Sequence, residues 1–138
     1  LLAEAKLSPE LRNEALYYRA KAYTKQKADK KAMEDYRELA KDTRNSYGAE
    51  AKYQVAQSLY DAKEYAAAEK ELLNYIEQST PHAYWLARSF ILLSDVYHAT
   101  GKDLDARQYL LSLQQNYQGN DDIESMIESR LSKLKVEN

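Results

Sequence analysis

The chain has 138 residues, 44% of them hydrophobic and 30% charged, and its 20 basic and 22 acidic side chains give a net charge of −2. That length and balance bound it to about one globular domain, and the near-neutral charge offers no electrostatic footprint for nucleic acid. The absence of cysteine excludes disulfides, thiol catalysis and thiolate metal sites, and no apolar run approaches the ~18 residues a membrane span needs.

Only three glycines and two prolines, among abundant Ala, Leu, Glu and Lys, favour helix throughout. Residues 1–7 read as the last turns of a helix, with no initiator Met or signal peptide before them. Ser8-Pro9 then opens the first full helix, Ser8 as cap and Pro9 at the position where its missing N–H costs nothing. Helices are predicted over 9–26 and 29–43, then 47–62 and 65–78, then 81–100 and 103–117. Thr80-Pro81 repeats the opening device, Thr100-Gly101 breaks the fifth helix, and Asp103 is expected to cap the sixth. Beyond Gly119, Asp121 and Glu124 suggest a capping box. Ile123, Met126, Ile127, Leu131 and Leu134 form the apolar stripe of a last helix, and Glu124, Glu128, Arg130 and Lys133 occupy its other side.

The stretch from Ser94 to Leu113 restates two earlier segments. Ala32 lies 36 residues before Ala68, which lies 38 before Ala106. The same steps relate Ala20, Ala56 and Ser94; Tyr23, Leu59 and Tyr97; Tyr36, Leu72 and Leu110; and Leu39, Tyr75 and Leu113. Small residues answer small ones because two crossing helices need one slim position each, with bulky neighbours filling the gaps. The repeat divides the chain into units 8–43, 44–79 and 80–118, followed by a capping helix in 119–138. Ala3 aligns with Leu39, so residues 1–7 are expected to be the remnant of a preceding repeat in a longer or processed protein.

Little in the sequence carries chemistry. His82 and His98 are the only histidines and have no metal-ligand spacing. Asp121-Asp122 is explained by capping and Glu69/Glu71 by a solvated helix face, and no phosphate loop or nucleophile elbow occurs. No enzymatic activity, cofactor or metal is predicted. The apolar stretch 84–93 predicts a helix buried on more than one side, packed between the second repeat and the terminal helix. The alternative is that Tyr84 and Trp85 protrude as an anchor for a partner.

Small-x-x-Tyr on the first helix of each pair and Ala-x-x-x-Tyr/Leu on the second resemble the tetratricopeptide repeat over nearly the whole chain. Ser94, Tyr97, Gly101, Ala106 and Leu110 match that pattern best. Lys27 and Lys63 stand where Gly101 sits, and Arg19 and Lys52 where the family prefers apolar residues. The step exceeds the family's ~34 residues. It looks like the longer form found in bacterial envelope proteins such as the TolA-binding and outer-membrane-assembly lipoproteins, which tilts the expected location to the periplasm or cell envelope.

The resemblance implies an all-α, right-handed superhelical array of antiparallel helix pairs that binds another protein. Its first helices would line a concave groove. Tyr17 and Lys21, with Glu14, Thr24 and Lys25, would come from the first repeat. Tyr53, Gln57 and Tyr60, with Glu50 and Asp61, would come from the second, and Arg88, Ile91, Asp95 and His98 from the third. A mixed aromatic groove of this kind suits a peptide or a partner helix. Alternatively, Tyr17, Tyr53 and Tyr60 pad the gaps between neighbouring first helices. The family's carboxylate clamp for chaperone tails would fall on Tyr17, Lys21, Gln54, Arg88 and Leu92, of which only Arg88 fits. The alternative function is a structural spacer or end cap without a ligand, and the chain is expected to be a monomer.

Overall fold

The computed structural model describes residues 8–78 and 80–134, and the expected remnant at residues 1–7 lies outside them. Among the described residues the chain is all-helical. In order the helices are α1 (Pro9–Lys25), α2 (Asp29–Leu39), α3 (Ser46–Asp61), α4 (Tyr65–Glu77), α5 (Ala83–Ala99), α6 (Asp103–Asn116) and α7 (Ile123–Lys133). No helix among them is long and apolar enough to cross a membrane.

The helix pairs are joined by one turn used three times. The second residue after each first helix has a positive φ: 62° at Lys27, 63° at Lys63 and 80° at Gly101. In each case the next amide donates back to the carbonyl five residues earlier. These bonds are Ala28 N to Tyr23 O at 2.8 Å, Glu64 N to Leu59 O at 2.9 Å, and Lys102 N to Tyr97 O at 2.7 Å. This is the Schellman closure, which satisfies the last free carbonyls of a helix and reverses the chain within three residues. Lys27 and Lys63 thus perform with strain what Gly101 performs freely.

Partner numbering across these turns shows antiparallel packing. Arg12 meets Glu38 whereas Arg19 meets Asp35, so positions fall on α2 as they rise on α1. The slim positions of the repeat sit at the crossings: Ala20, Ala32, Ala56, Ala68, Ser94 and Ala106 are all buried. Consecutive helices pack against one another throughout, and alternate helices α1, α3, α5 and α7 also lie side by side. There the numbering rises together, Tyr84 meeting Asp122 and Asp95 meeting Arg130. Three apolar clusters follow. Leu16, Ala20, Tyr36, Leu39 and Val55 join α1, α2 and α3. Ala56, Leu72, Leu92, Leu93 and Val96 join α3, α4 and α5. Ile91, Leu110, Leu113, Ile123 and Ile127 join α5, α6 and α7.

Several helix starts differ from expectation, each for a hydrogen-bonding reason. Ser8 caps α1 as read, accepting from Leu11 N at 3.2 Å with Pro9 in the first turn. Asn45, which the sequence reading passed over, caps α3 by accepting from Gly48 N at 2.8 Å. Thr80-Pro81 does not open α5. Thr80 Oγ donates to Thr43 O at 3.2 Å and accepts from His82 N at 3.2 Å, and the helix begins two residues after Pro81. Asp103 is the first residue of α6 rather than its cap, and its carboxylate takes His98 Nδ1 at 2.8 Å. The capping box at α7 does not close: Asp121 accepts from Ile123 N at 3.0 Å, and no side-chain cap bond is made by Asp122. Helix α2 stops at Leu39, four residues short of the expected end. The loop that follows is tied to the next repeat by Thr43 Oγ donating to Gln78 at 2.6 Å and by His82 Nε2 against Arg44 O at 2.7 Å.

Candidate interaction face

The first-helix face, from α1 through α3 and α5 to α7, carries nearly every residue singled out for binding. At the α1/α3 junction the Tyr17 hydroxyl donates to Glu50 at 2.9 Å, and Lys21 Nζ lies 3.4 Å from the other oxygen of the same carboxylate. Lys21 also sits 4.9 Å above the Tyr17 ring, which packs 4.7 Å from Tyr47. Burial raises the Tyr17 pKa, the Lys21 hydrogen bond opposing and Glu50 reinforcing the shift.

The α3/α5 junction is centred on Arg88. Its guanidinium donates to Tyr84 OH at 2.8 Å and to Tyr53 OH at 3.1 Å. It lies 4.9 Å from the Tyr53 ring centre and 5.7 Å from those of Tyr84 and Trp85. The Arg88 Nε is buried and finds no acceptor among the described residues. The charge is held by ring quadrupoles and hydroxyl dipoles, with the nearest relay to a carboxylate running from Tyr84 OH to Asp122 at 2.9 Å. Tyr53 is only 6% exposed and donates to Gln57 at 2.9 Å, and Gln57 in turn donates to Asp61 at 2.9 Å. Trp85 is half-buried against Tyr53, at 5.6 Å, on the second-repeat side. The terminal helix is met instead by Tyr84, Ala87 and Ile91 of the same helix.

At the α5/α7 junction Arg130 grips Asp95 in two hydrogen bonds of 2.9 and 3.1 Å. The polar side of α7 thus carries, in Arg130, a tie to α5. Between α3, α5 and α7 opens a cleft of ≈ 500 Å³, walled by Gln57, Tyr60, Asp95, His98, Arg130 and Lys133. Burial raises the Tyr60 pKa, with the Asp95 charge adding to it.

Ile91 requires the clearest correction. It is 1% exposed and packs in the cluster with Ile123 and Ile127, so it cannot line an accessible groove. The helical spacing placed it on the groove side, but α7 covers that position. Asp122 and Arg130 are the participants that sequence reasoning did not place here, and Tyr84, read there as an alternative protruding anchor, bonds instead to Arg88 and Asp122. Their separations of 38 residues (Tyr84 to Asp122) and 35 (Asp95 to Arg130) are close to the repeat step, a signal that α7 continues the register of first helices. Leu92, one of the clamp positions, is buried as well.

Among the described residues no group of three or more His, Asp and Glu side chains is placed to hold a metal ion. The two histidines lie apart, each committed to a local oxygen. Comparison with protein families and with curated proteins found nothing similar: no family model and no curated sequence matches the chain.

Proposed function

We propose that the chain is a helical-repeat interaction module of the tetratricopeptide kind, a right-handed superhelical array that takes a peptide or partner helix on its first-helix face. The observation that carries this reading is the cleft between α3, α5 and α7, where an aromatic wall from Tyr60 stands beside donors and acceptors of both signs. An aromatic surface ringed by charge supplies contact area at small entropic cost, the composition of binding hot spots. The three equal turns and the buried slim residues at each crossing support the array.

A second reading, a structural spacer or end cap with no ligand, is favoured by one specific feature. The polar side chains along the face bond to one another: Lys21 and Tyr17 to Glu50, Arg88 to Tyr53 and Tyr84, Arg130 to Asp95. A face whose charges are spent on holding neighbouring helices has less to offer a partner.

A photo-crosslinking residue in place of Tyr60, in the full chain, separates the two readings. Incubated with lysate of the source organism, it should give a discrete adduct that a Lys133→Glu substitution weakens and that the same residue at Leu104 does not give. The absence of any adduct specific to Tyr60 would leave the spacer reading standing.

A further inference from the structure

Among the described residues, two of the three large apolar side chains most exposed to solvent lie on one line of α1. Leu11 is 52% and Tyr18 60% exposed, and with Ala15 and Ala22 they fall at i, i+4, i+7 and i+11, a single stripe along the helix. The repeat supplies the comparison. The matching positions are Tyr47, Ala51, Gln54 and Ser58 on α3, and Trp85, Ser89, Leu92 and Val96 on α5. On α5 the last three are buried, Leu92 and Val96 in one cluster with Ala68 and Leu72 of α4. On α3, Ala51 is buried in one cluster with Tyr36 and Leu39 of α2. Thus α3 and α5 each pack against a second helix on both sides, α2 and α4 for the one, α4 and α6 for the other, whereas among the described residues α1 packs against α2 and α3 only.

We propose that this stripe of α1 is a docking seat for a partner helix with the chemistry of α2 and α4: amphipathic, with a small residue followed by large apolar residues four and seven positions later. Ala32-Tyr36-Leu39 and Ala68-Leu72-Tyr75 are the two examples that pack against a following first helix of a pair, Ala106-Leu110-Leu113 being the third copy of the pattern, so the seat continues an interface made twice already. Arg19 does not oppose docking. It stands where Val55 and Leu93 stand in the other repeats, but its guanidinium is held by buried Asp35 in bonds of 2.8 and 2.6 Å. Its alkyl stem is left to border the stripe.

Other occupants fit poorly. A helical segment of seven residues spans ~10 Å, against ~16 Å from Leu11 to Ala22, so a helix that fills the seat is longer than that. A second copy offers no such helix face, since Ala32, Tyr36 and Leu39 on α2 and Ala68, Leu72 and Tyr75 on α4 are already buried within the chain. None of the residues of the cleft takes part, so this inference and the groove reading can fail separately.

The chain contains no cysteine, which makes a single introduced thiol a clean reporter. Thiol labelling would be measured on the Tyr18→Cys variant of the full chain, and on the same variant with residues 29–43 placed ahead of Ser8 in place of residues 1–7. That graft reproduces the spacing of α2 to α3. The Leu104→Cys variant, on the exposed side of α6, is the control. Docking slows labelling at position 18 by 10-fold or more in the grafted chain, leaves position 104 unchanged, and is lost when the graft's copies of Tyr36 and Leu39 are Ser. Equal labelling with and without the graft overturns the proposal. So does protection already present without it: independent of concentration, it means that the chain covers its own stripe; rising with concentration, it means that a second copy does.

Discussion

Lys27 and Lys63 occupy a backbone conformation that suits glycine, and replacing them tests the turn geometry directly. An L-residue in the left-handed region costs ~1–2 kcal/mol, and glycine removes that cost while losing ~0.5–1 kcal/mol more backbone entropy on folding. Each Lys→Gly substitution should therefore stabilise the chain by ~0.5–1 kcal/mol. Both side chains are exposed and neither forms an ion pair among the described residues, so no lost contact offsets the gain. The sites are 36 residues apart and share no partner, so the double variant should gain ~1–2 kcal/mol. Conversely, Gly101→Lys should lose ~0.5–1 kcal/mol through φ alone, because a Cβ there meets no atom within 4 Å. Urea unfolding followed by helical circular dichroism reads the shift as a change in midpoint at constant slope. Unchanged or lowered midpoints for both Lys→Gly variants would refute the three-fold equivalence of the turns.

Ala68→Leu adds volume at a crossing where the native side chain has no exposure, and overpacking should cost ~1–3 kcal/mol; an unchanged midpoint would contradict the assigned crossing. Gly48→Ala would place a methyl 1.8 Å from Asp42 O, so α3 and the loop after α2 must part, at a net cost of ~1–3 kcal/mol despite the better helix propensity of alanine; a stabilised variant would count against that close approach. Alkaline pH should unfold the chain early. Burial raises Tyr17, Tyr60 and Tyr97 above 10.0, and Tyr117 is raised to about 12 by burial with Asp121 adding to it. A raised folded pKa means stability present in full below the unfolded value near 10 and lost as pH climbs through the folded values. Thermal midpoints should hold flat from pH 8 to 9.5 and then fall, and a flat profile to pH 12 would refute the burial of these hydroxyls.

The legible part of the fold was the part written in spacing. The recurring alanines and the large residues beside them gave helix number, pairing and crossing points, since a crossing tolerates few side chains and so leaves a mark in sequence. Cap chemistry was less legible. Thr80, Asp103 and Asp121 are all plausible cap residues, yet each side chain found a partner in another place: Thr43 O, His98 Nδ1 and the Tyr117 hydroxyl. A polar side chain that can reach a neighbouring element is not held to its local role.

The candidate face was legible to the extent that helix register alone decides which way a residue points. Tyr17, Lys21, Gln57, Tyr60, Arg88 and Asp95 do lie along the junctions of first helices, whereas Tyr53 is buried against Trp85 and Arg88 and Ile91 is buried because α7 packs over it. The amino-acid pattern by itself determined an all-helical chain of three paired units and a terminal helix, because hydrophobic period and side-chain size are local properties that any packing of these helices must respect. Only the tertiary structure decided which polar groups of the face are spent on each other, that Arg130 closes on Asp95, and that among the described residues α1 alone of the first helices of the pairs keeps an open apolar stripe. Those outcomes depend on which residues far apart in sequence come within 3–4 Å, and no local pattern encodes that distance.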